Sequence, residues 1–184
     1  EPLLIVSPEP EDVNRLLHEK LLAAVCDNMV FAACSTNDTW ARDHAFLTVG
    51  GGSAGLELLD FRFNGWGDKF ESNLDNAINR TIFDKGHILG GTYTDCLDFC
   101  LEGGSIETDG RGTLLTTAQC LLNPNRNPQY GQSEIEELLA RRLGVNHFLW
   151  ITEGYLAGDD TDSHIDTLAR LCPDNTILYV KCAD

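Results

Sequence analysis

The sequence predicts an α/β fold made of repeated units. Apolar runs of strand length alternate with stretches whose apolar residues recur at helical spacing. An acidic motif also returns at intervals of roughly 60 residues, at Asp43, Glu102 and Asp166, each where a strand leaves its αβ unit. The 184 residues are 42% hydrophobic, enough for one sizeable core. One such unit cannot cover its own apolar faces. Stacking units about a shared axis would place helices outside and gather the acidic motifs in a carboxylate-lined funnel.

In chain order, Leu3 to Val6 reads as a short buried strand stopped by Pro8-Glu9-Pro10, and Val13, Leu16, Leu17, Leu21 and Leu22 then follow a helical period. Met29 to Ala33 and Ala45 to Val49 are further strands, and Gly50-Gly51-Gly52-Ser53-Ala54-Gly55 is a hairpin loop leading to the strand Leu58 to Phe63. Leu74 to Phe83 is a helix with Leu74, Ala77, Ile78 and Ile82 inward. Cys96 to Cys100 is a strand, and Asp109-Gly110-Arg111-Gly112 turns the chain into Thr113 to Thr117. A last helix, Glu134 to Leu143, is expected to be capped by Ser133 with Glu136 completing a capping box, and Gly144 stops it. Phe148 to Thr152, Ser163 to Leu168 and Thr176 to Val180 complete the strands.

A net charge of -16 without a basic patch argues against nucleic acid and suits a small cationic substrate. Seven cysteines, an odd count without the spacing of a disulfide scaffold, point to a reducing cytoplasm. No apolar run approaches the roughly 18 residues of a membrane span, and no leader-like segment opens the chain, so a soluble, cytoplasmic protein without membrane association is expected. The opening Glu1-Pro2 is consistent with a start inside a larger protein.

The densest chemistry lies in Gly158-Asp159-Asp160-Thr161-Asp162-Ser163-His164-Ile165-Asp166, where carboxylates crowd an imidazole. If Ser163 to Leu168 is extended, His164 and Asp166 share one face of the strand, within reach of a common ligand. Other patterns carry less. Gly50, Gly52 and Gly55 satisfy a dinucleotide spacing, but a strand and not a helix follows them. The aspartate run lacks the glycine and terminal glutamate of a calcium loop, and Cys96 with Cys100 is half a zinc site. No cofactor and no metal is expected.

Five segments then carry a resemblance, in order and over nearly the whole chain. They are Trp40-Ala41-Arg42-Asp43, Phe61-Arg62-Phe63-Asn64-Gly65-Trp66-Gly67, Leu101-Glu102-Gly103-Gly104-Ser105-Ile106, Cys120-Leu121-Leu122-Asn123-Pro124-Asn125-Arg126-Asn127-Pro128, and the run from Gly158 through Thr167-Leu168-Ala169-Arg170. The chain resembles agmatine deiminase and the bacterial, Porphyromonas-type peptidylarginine deiminases of the guanidino-modifying superfamily. The resemblance implies a pentein fold, a propeller of repeated ββαβ modules around a central pocket, with about three of five modules in this single domain, residues 1–184. It also implies hydrolysis of agmatine to N-carbamoylputrescine and ammonia through a covalent cysteine intermediate. Arginine in peptides is the alternative substrate, and guanidino binding without catalysis is a reading of another class. Homo-oligomerisation stays open.

By the same resemblance, Asp43 and Asp166 hold the guanidinium, His164 protonates the leaving ammonia and later activates water, and Glu102 orients His164 and keeps it charged. Trp40 and Trp66 would wall the pocket and Asp160 would touch substrate. Plainer readings stand beside these. Asp43 could pair only with Arg42, Glu102 could merely open a glycine turn, His164 and Asp166 could be structural or bind a metal, the tryptophans could be core, and Asp160 could only shape its loop. The family's thiol lies near the C-terminus after a glycine-rich stretch and a histidine, a setting that none of these seven cysteines has. The expectation is a chain lacking N-terminal and C-terminal modules and its nucleophile, inactive alone. Asn123 to Pro128 has only a turn-forming account.

Overall fold

A computed structural model describes residues 2–50, 55–88, 90–154 and 156–181. The chain opens with strand β1 (Leu3–Ser7), helix α1 (Pro10–Lys20), the single turn α2 (Ala23–Cys26) and β2 (Met29–Ala33), which runs parallel to β1. A one-turn helix α3 (Ala41–His44) then leads to the hairpin β3 (Leu47–Gly50) and β4 (Leu56–Arg62). After the turn α4 (Gly65–Asp68) comes helix α5 (Asn73–Asp84), and β5 (Thr92–Cys100) lies parallel to β4. The scheme repeats. The hairpin of β6 (Ile106–Thr108) and β7 (Thr113–Thr117) is followed by α6 (Ala118–Leu121), α7 (Gln132–Leu143) and β8 (His147–Ile151), parallel to β7. The hairpin β9 (Ala169–Cys172) and β10 (Thr176–Tyr179) begins another round.

The described chain therefore holds two complete ββαβ modules, β3 to β5 and β6 to β8, flanked by a βαβ part and a hairpin. Their shared core joins Leu59, Phe61 and Phe99 of one module to Leu114, Leu121, Ile135 and Leu139 of the next. Burying a side chain of this kind contributes about 1.5–3 kcal/mol. No helix among the described residues is long and apolar enough to cross a membrane.

Three expectations need correction. Helix α7 starts earlier, with Gly131 as its cap. The Glu134 carboxylate accepts the Gly131 N–H at 2.8 Å, while Gly144 ends the helix at φ 70° as expected. Helix α5 turns Asp75, Ile78, Asn79 and Ile82 inward, whereas Leu74 and Ala77 face out. The polar pair is buried because it fastens the approach to α3: Asp75 accepts the N–H groups of Asn37 and Asp38, and Asn79 donates to the His44 carbonyl and to Asp60. Ser163 to Leu168 is not a strand. Asp162 and Ser163 sit at φ 62° and 63°, and Ile165–Thr167 forms a 3-10 turn before β9. Finally, β3 and β4 pair as a hairpin across the glycine run, but Gly51 to Ala54 of that loop, like Cys182, lie outside the described residues.

Candidate active site

Each of the three acidic motifs occupies a joint between modules, and the joints touch. Asp43 lies on α3, Glu102 precedes the 3-10 turn Gly103–Ser105, and Asp166 lies in the turn Ile165–Thr167. Contact is possible because residues 103 and 104 have no side chain. A Cβ on Gly103 would lie 2.1 Å from the Arg42 carbonyl oxygen. One on Gly104 would lie 2.6 Å from His164 Nδ1, 2.7 Å from Asp43 Oδ1 and 2.8 Å from Asp166 Oδ2. The paired glycines thus serve close approach and not a positive-φ turn.

Asp43 is buried. Its Oδ1 accepts the Gly104 N–H at 3.0 Å and its Oδ2 accepts the Trp66 indole N–H at 3.0 Å. Burial pushes its pKa up to about 6 against the pull of those two donors, with Glu102 and Asp166 adding to the rise. Trp66 reaches Asp43 from α4, whose four residues Gly65, Trp66, Gly67 and Asp68 have φ of 64°, 58°, 86° and 61°. This turn is left-handed, which costs about 1–2 kcal/mol for each residue with a side chain. It is held by the Asn64 carboxamide accepting the Gly67 N–H at 2.9 Å and by edge-on packing of the indole between Phe63 and Phe70.

His164 Nδ1 lies 3.6 Å from Asp43 Oδ1, and its Nε2 has no hydrogen-bond partner among the described residues. Burial lowers its pKa to about 3, helped by the positive charges of Arg126 and Arg42 and opposed by Asp159 and Asp162, so the imidazole is neutral. Glu102 Oε2 is 4.0 Å from Nε2, beyond hydrogen-bond reach. The carboxylate is taken by Arg126, whose Nε donates to Oε1 at 3.1 Å and to Oε2 at 2.8 Å. The expectation that Glu102 keeps His164 charged is therefore corrected: a buried guanidinium neutralises that carboxylate. Asp166 has Arg42 Nε at 3.5 Å, and burial raises its pKa against that attraction.

These groups open onto a cavity of about 440 Å³ lined by Trp40, Asp43, Trp66, Asp160, His164 and Asp166, together with Asp38, Arg42, Phe70 and Asp159. Of the residues singled out in the sequence, Glu102 alone stands behind the wall, covered by His164 and Arg126. Sequence reasoning missed Arg126, Lys69, Asp38 and Asp159. Lys69 Nζ donates to the Asp160 carbonyl at 2.7 Å and to Asp162 Oδ1 at 2.5 Å, fastening the aspartate loop to α4. The Asn-Arg-Asn run has a structural account beyond turn formation. The Asn127 side chain exchanges two hydrogen bonds with the Cys100 backbone, Asn125 donates to Asp162, and Arg126 spans Glu102 and the Thr161–Asp162 loop. Its signal in the sequence was membership of a resemblance segment, with an arginine set between asparagines and prolines.

None of the six described cysteines lines the cavity. Burial pushes the Cys100 thiol up to about 12 and raises Cys120 as well. Glu102, Cys120 and His164 present donor atoms within 4.8 Å of one another, but the Arg126 guanidinium bonded to Glu102 would repel a metal cation there.

A family profile, that of the Porphyromonas-type peptidyl-arginine deiminases, matches residues 1–184. The agmatine deiminase of Ectopseudomonas mendocina is 40% identical over 146 residues, covering 76% of this chain and 38% of the relative. A solved structure from Porphyromonas gingivalis superposes with a TM-score of 0.92 at 42% identity, over all of this chain and 53% of that one. A cysteine-to-serine variant of C. jejuni agmatine deiminase, with substrate bound, gives a TM-score of 0.86 at 39% identity, over all of this chain and 52% of its own. The chain thus spans about half the length of these structures, or less of the sequence relative, and its ββαβ modules are those of the pentein fold. With the profile matching from first residue to last, and the carboxylates and histidine gathered at the module joints, this chain belongs to the Porphyromonas-type peptidyl-arginine deiminase family.

Proposed function

We propose that the protein hydrolyses the guanidinium group of agmatine to N-carbamoylputrescine and ammonia, and that residues 1–184 are the part of one deiminase domain that holds and protonates the substrate. The observation that carries this reading is the gathering of Asp43, His164 and Asp166 around Gly104 on the wall of one cavity. Two carboxylates can each accept N–H donors from a planar guanidinium and leave its carbon open above the plane. A thiolate attacks that carbon and the C–N bond to one amino group breaks. His164, neutral in the empty cavity, takes the thiol proton and delivers it to the departing ammonia. Water then adds to the amidino-thioether carbon, His164 accepts its proton, and the thiolate leaves. The thiol comes from outside the cavity wall described here, a source supported by the serine substitution in the substrate-bound C. jejuni relative. Glu102 lies behind His164 and limits its motion; Trp40 and Asp160 contact the chain of the substrate.

Agmatine is favoured over arginine bearing a free carboxylate by the charges around the mouth. Asp38, Asp159 and Asp160 line it, and its one lining cation among the described residues, Arg42, is engaged with Asp166. A distal ammonium meets carboxylates there, whereas a distal carboxylate would meet repulsion. Free thiols throughout the described residues support a cytoplasmic location.

The test is calorimetric binding of agmatine and of putrescine, which has the amine without the guanidinium, followed by mass spectrometry of products formed by the protein that carries this sequence. Agmatine is expected to bind at least tenfold tighter and to gain the mass change of NH replaced by O. Equal affinity for the two amines would overturn the reading. Ammonia release from agmatine by the 184 residues alone would overturn the external thiol.

A further inference from the structure

We propose that Arg126 is a positioning residue of this site: one buried guanidinium binds Glu102 behind His164 and the Thr161–Asp162 loop at the cavity mouth, making the histidine's setting and the loop's position a single rigid unit. The inference rests on reading the cavity as a guanidinium site.

All three guanidinium nitrogens of Arg126 are committed. Nε donates to both oxygens of Glu102, Nη1 to Asp162 Oδ2 at 3.1 Å and Asn125 Oδ1 at 3.1 Å, and Nη2 to the Thr161 carbonyl at 2.9 Å. The side chain is wholly buried. Because the guanidinium is planar, Glu102 and the loop are fixed in one orientation relative to each other, which the single ammonium of a lysine could not achieve. The other Asp162 oxygen is held by Lys69 at 2.5 Å. Charges therefore alternate inward from the surface, through Lys69, Asp162, Arg126 and Glu102, and stop 4.0 Å short of His164 Nε2, a buried nitrogen with no hydrogen-bond partner among the described residues.

Arg126 thus withholds Glu102 from His164. With the guanidinium removed, the carboxylate is free to accept from Nε2 and to stabilise a proton on the ring. The other groups facing the imidazole are Asp43, Asp166 and Arg42, with the thiol of Cys120, and, on the loop that Arg126 holds, Asp159 and Asp162. The sign follows: loss of a positive charge and gain of a free carboxylate both raise the affinity of His164 for a proton.

The experiment compares wild type, R126K, R126M and E102Q/R126M in the protein that carries this sequence. The readouts are His164 titration by NMR without substrate and kcat for agmatine across pH. In R126M the His164 midpoint is expected to rise by about one unit or more, and kcat to fall roughly 100-fold, the size of a misplaced general acid. R126K keeps the charge, so its midpoint stays near wild type while kcat falls about tenfold through the loosened loop. E102Q/R126M removes the freed carboxylate, so its midpoint falls below that of R126M while kcat stays low. Should R126M not fold, kcat decides through the other two: wild-type kcat in both R126K and the neutral double variant would overturn the proposal. A lower Tm with unchanged titration and unchanged kcat would overturn the proposal and leave Arg126 a structural residue. Wild type inert on agmatine would instead overturn the functional reading, while the substrate-free titration still decides the link from Arg126 to His164.

Discussion

Residue 104 is where the three joints meet, and the space there is set by one hydrogen atom. A methyl group would stand 2.6 to 2.8 Å from His164, Asp43 and Asp166 together, closer than side-chain carbons approach such atoms. Gly104→Ala is therefore expected to push the Asp43 and Asp166 carboxylates apart and weaken agmatine binding by about 100-fold or more, a loss of the size seen when a positioned contact is displaced by an ångström. Calorimetry checks it, and unchanged affinity would show that the joints are not in contact. Asp43 gives a second prediction at this scale. Its pKa stands near 6, and on the proposed reading a cationic guanidinium binds its ionised form, so that proton and substrate would compete. As pH falls below about 6, affinity should drop toward tenfold per unit; above about 7 this dependence flattens. Asp43→Asn should remove that step and most of the binding.

Among the elements, α4 does the least conventional work. Its left-handed residues aim the Trp66 indole at Asp43, and Gly67 lies so near Asn125 that a Cβ would come within 2.1 Å of its Nδ2. Gly67→Ala should cost about 1–2 kcal/mol from the backbone alone, lower Tm, and shift Trp66 fluorescence as the indole loses its carboxylate partner. Retained fluorescence with retained Tm would show that the turn tolerates a side chain. The elements also show what the sequence made legible. Buried strands such as Thr113–Thr117 and the α7 period were readable because apolar burial leaves a repeat in the residues themselves. Ser163 to Leu168 was misread because short polar side chains outcompete the strand: Asp159 accepts from the backbone of Thr161 and Ser163, and Thr161 accepts from His164. The α5 face was misassigned because its buried Asp75 and Asn79 serve another element. His164 and Asp166 stood out as an imidazole crowded by carboxylates and Asp43 as part of the recurring acidic motif, and the resemblance then assigned them roles. The role of Arg126 was not, since its partners lie 24 and 36 residues away in the chain.

Across the whole molecule, a net charge of -16 surrounds a cavity that is itself lined by carboxylates, so a cation is drawn toward the mouth before any contact forms. The association rate of agmatine should fall by about tenfold as ionic strength rises from roughly 10 mM to 500 mM, with much less change in dissociation. Stopped-flow measurement decides this; a salt-independent rate would mean the charge serves solubility alone.

The contact of the acidic motifs at joints between ββαβ units, and not within any unit, has a consequence for how such a site can diversify. The span between Asp43 and Asp166 follows the angle at which neighbouring units lean on each other, and between β3–β5 and β6–β8 the units meet through ordinary apolar packing, Phe61 and Phe99 of one with Leu114, Leu121 and Leu139 of the next. Exchanging a core residue for a larger or smaller one, far from any charged group, would widen or narrow the pocket like the aperture of an iris. Amidines of different girth could then be selected with every acid and the histidine unchanged.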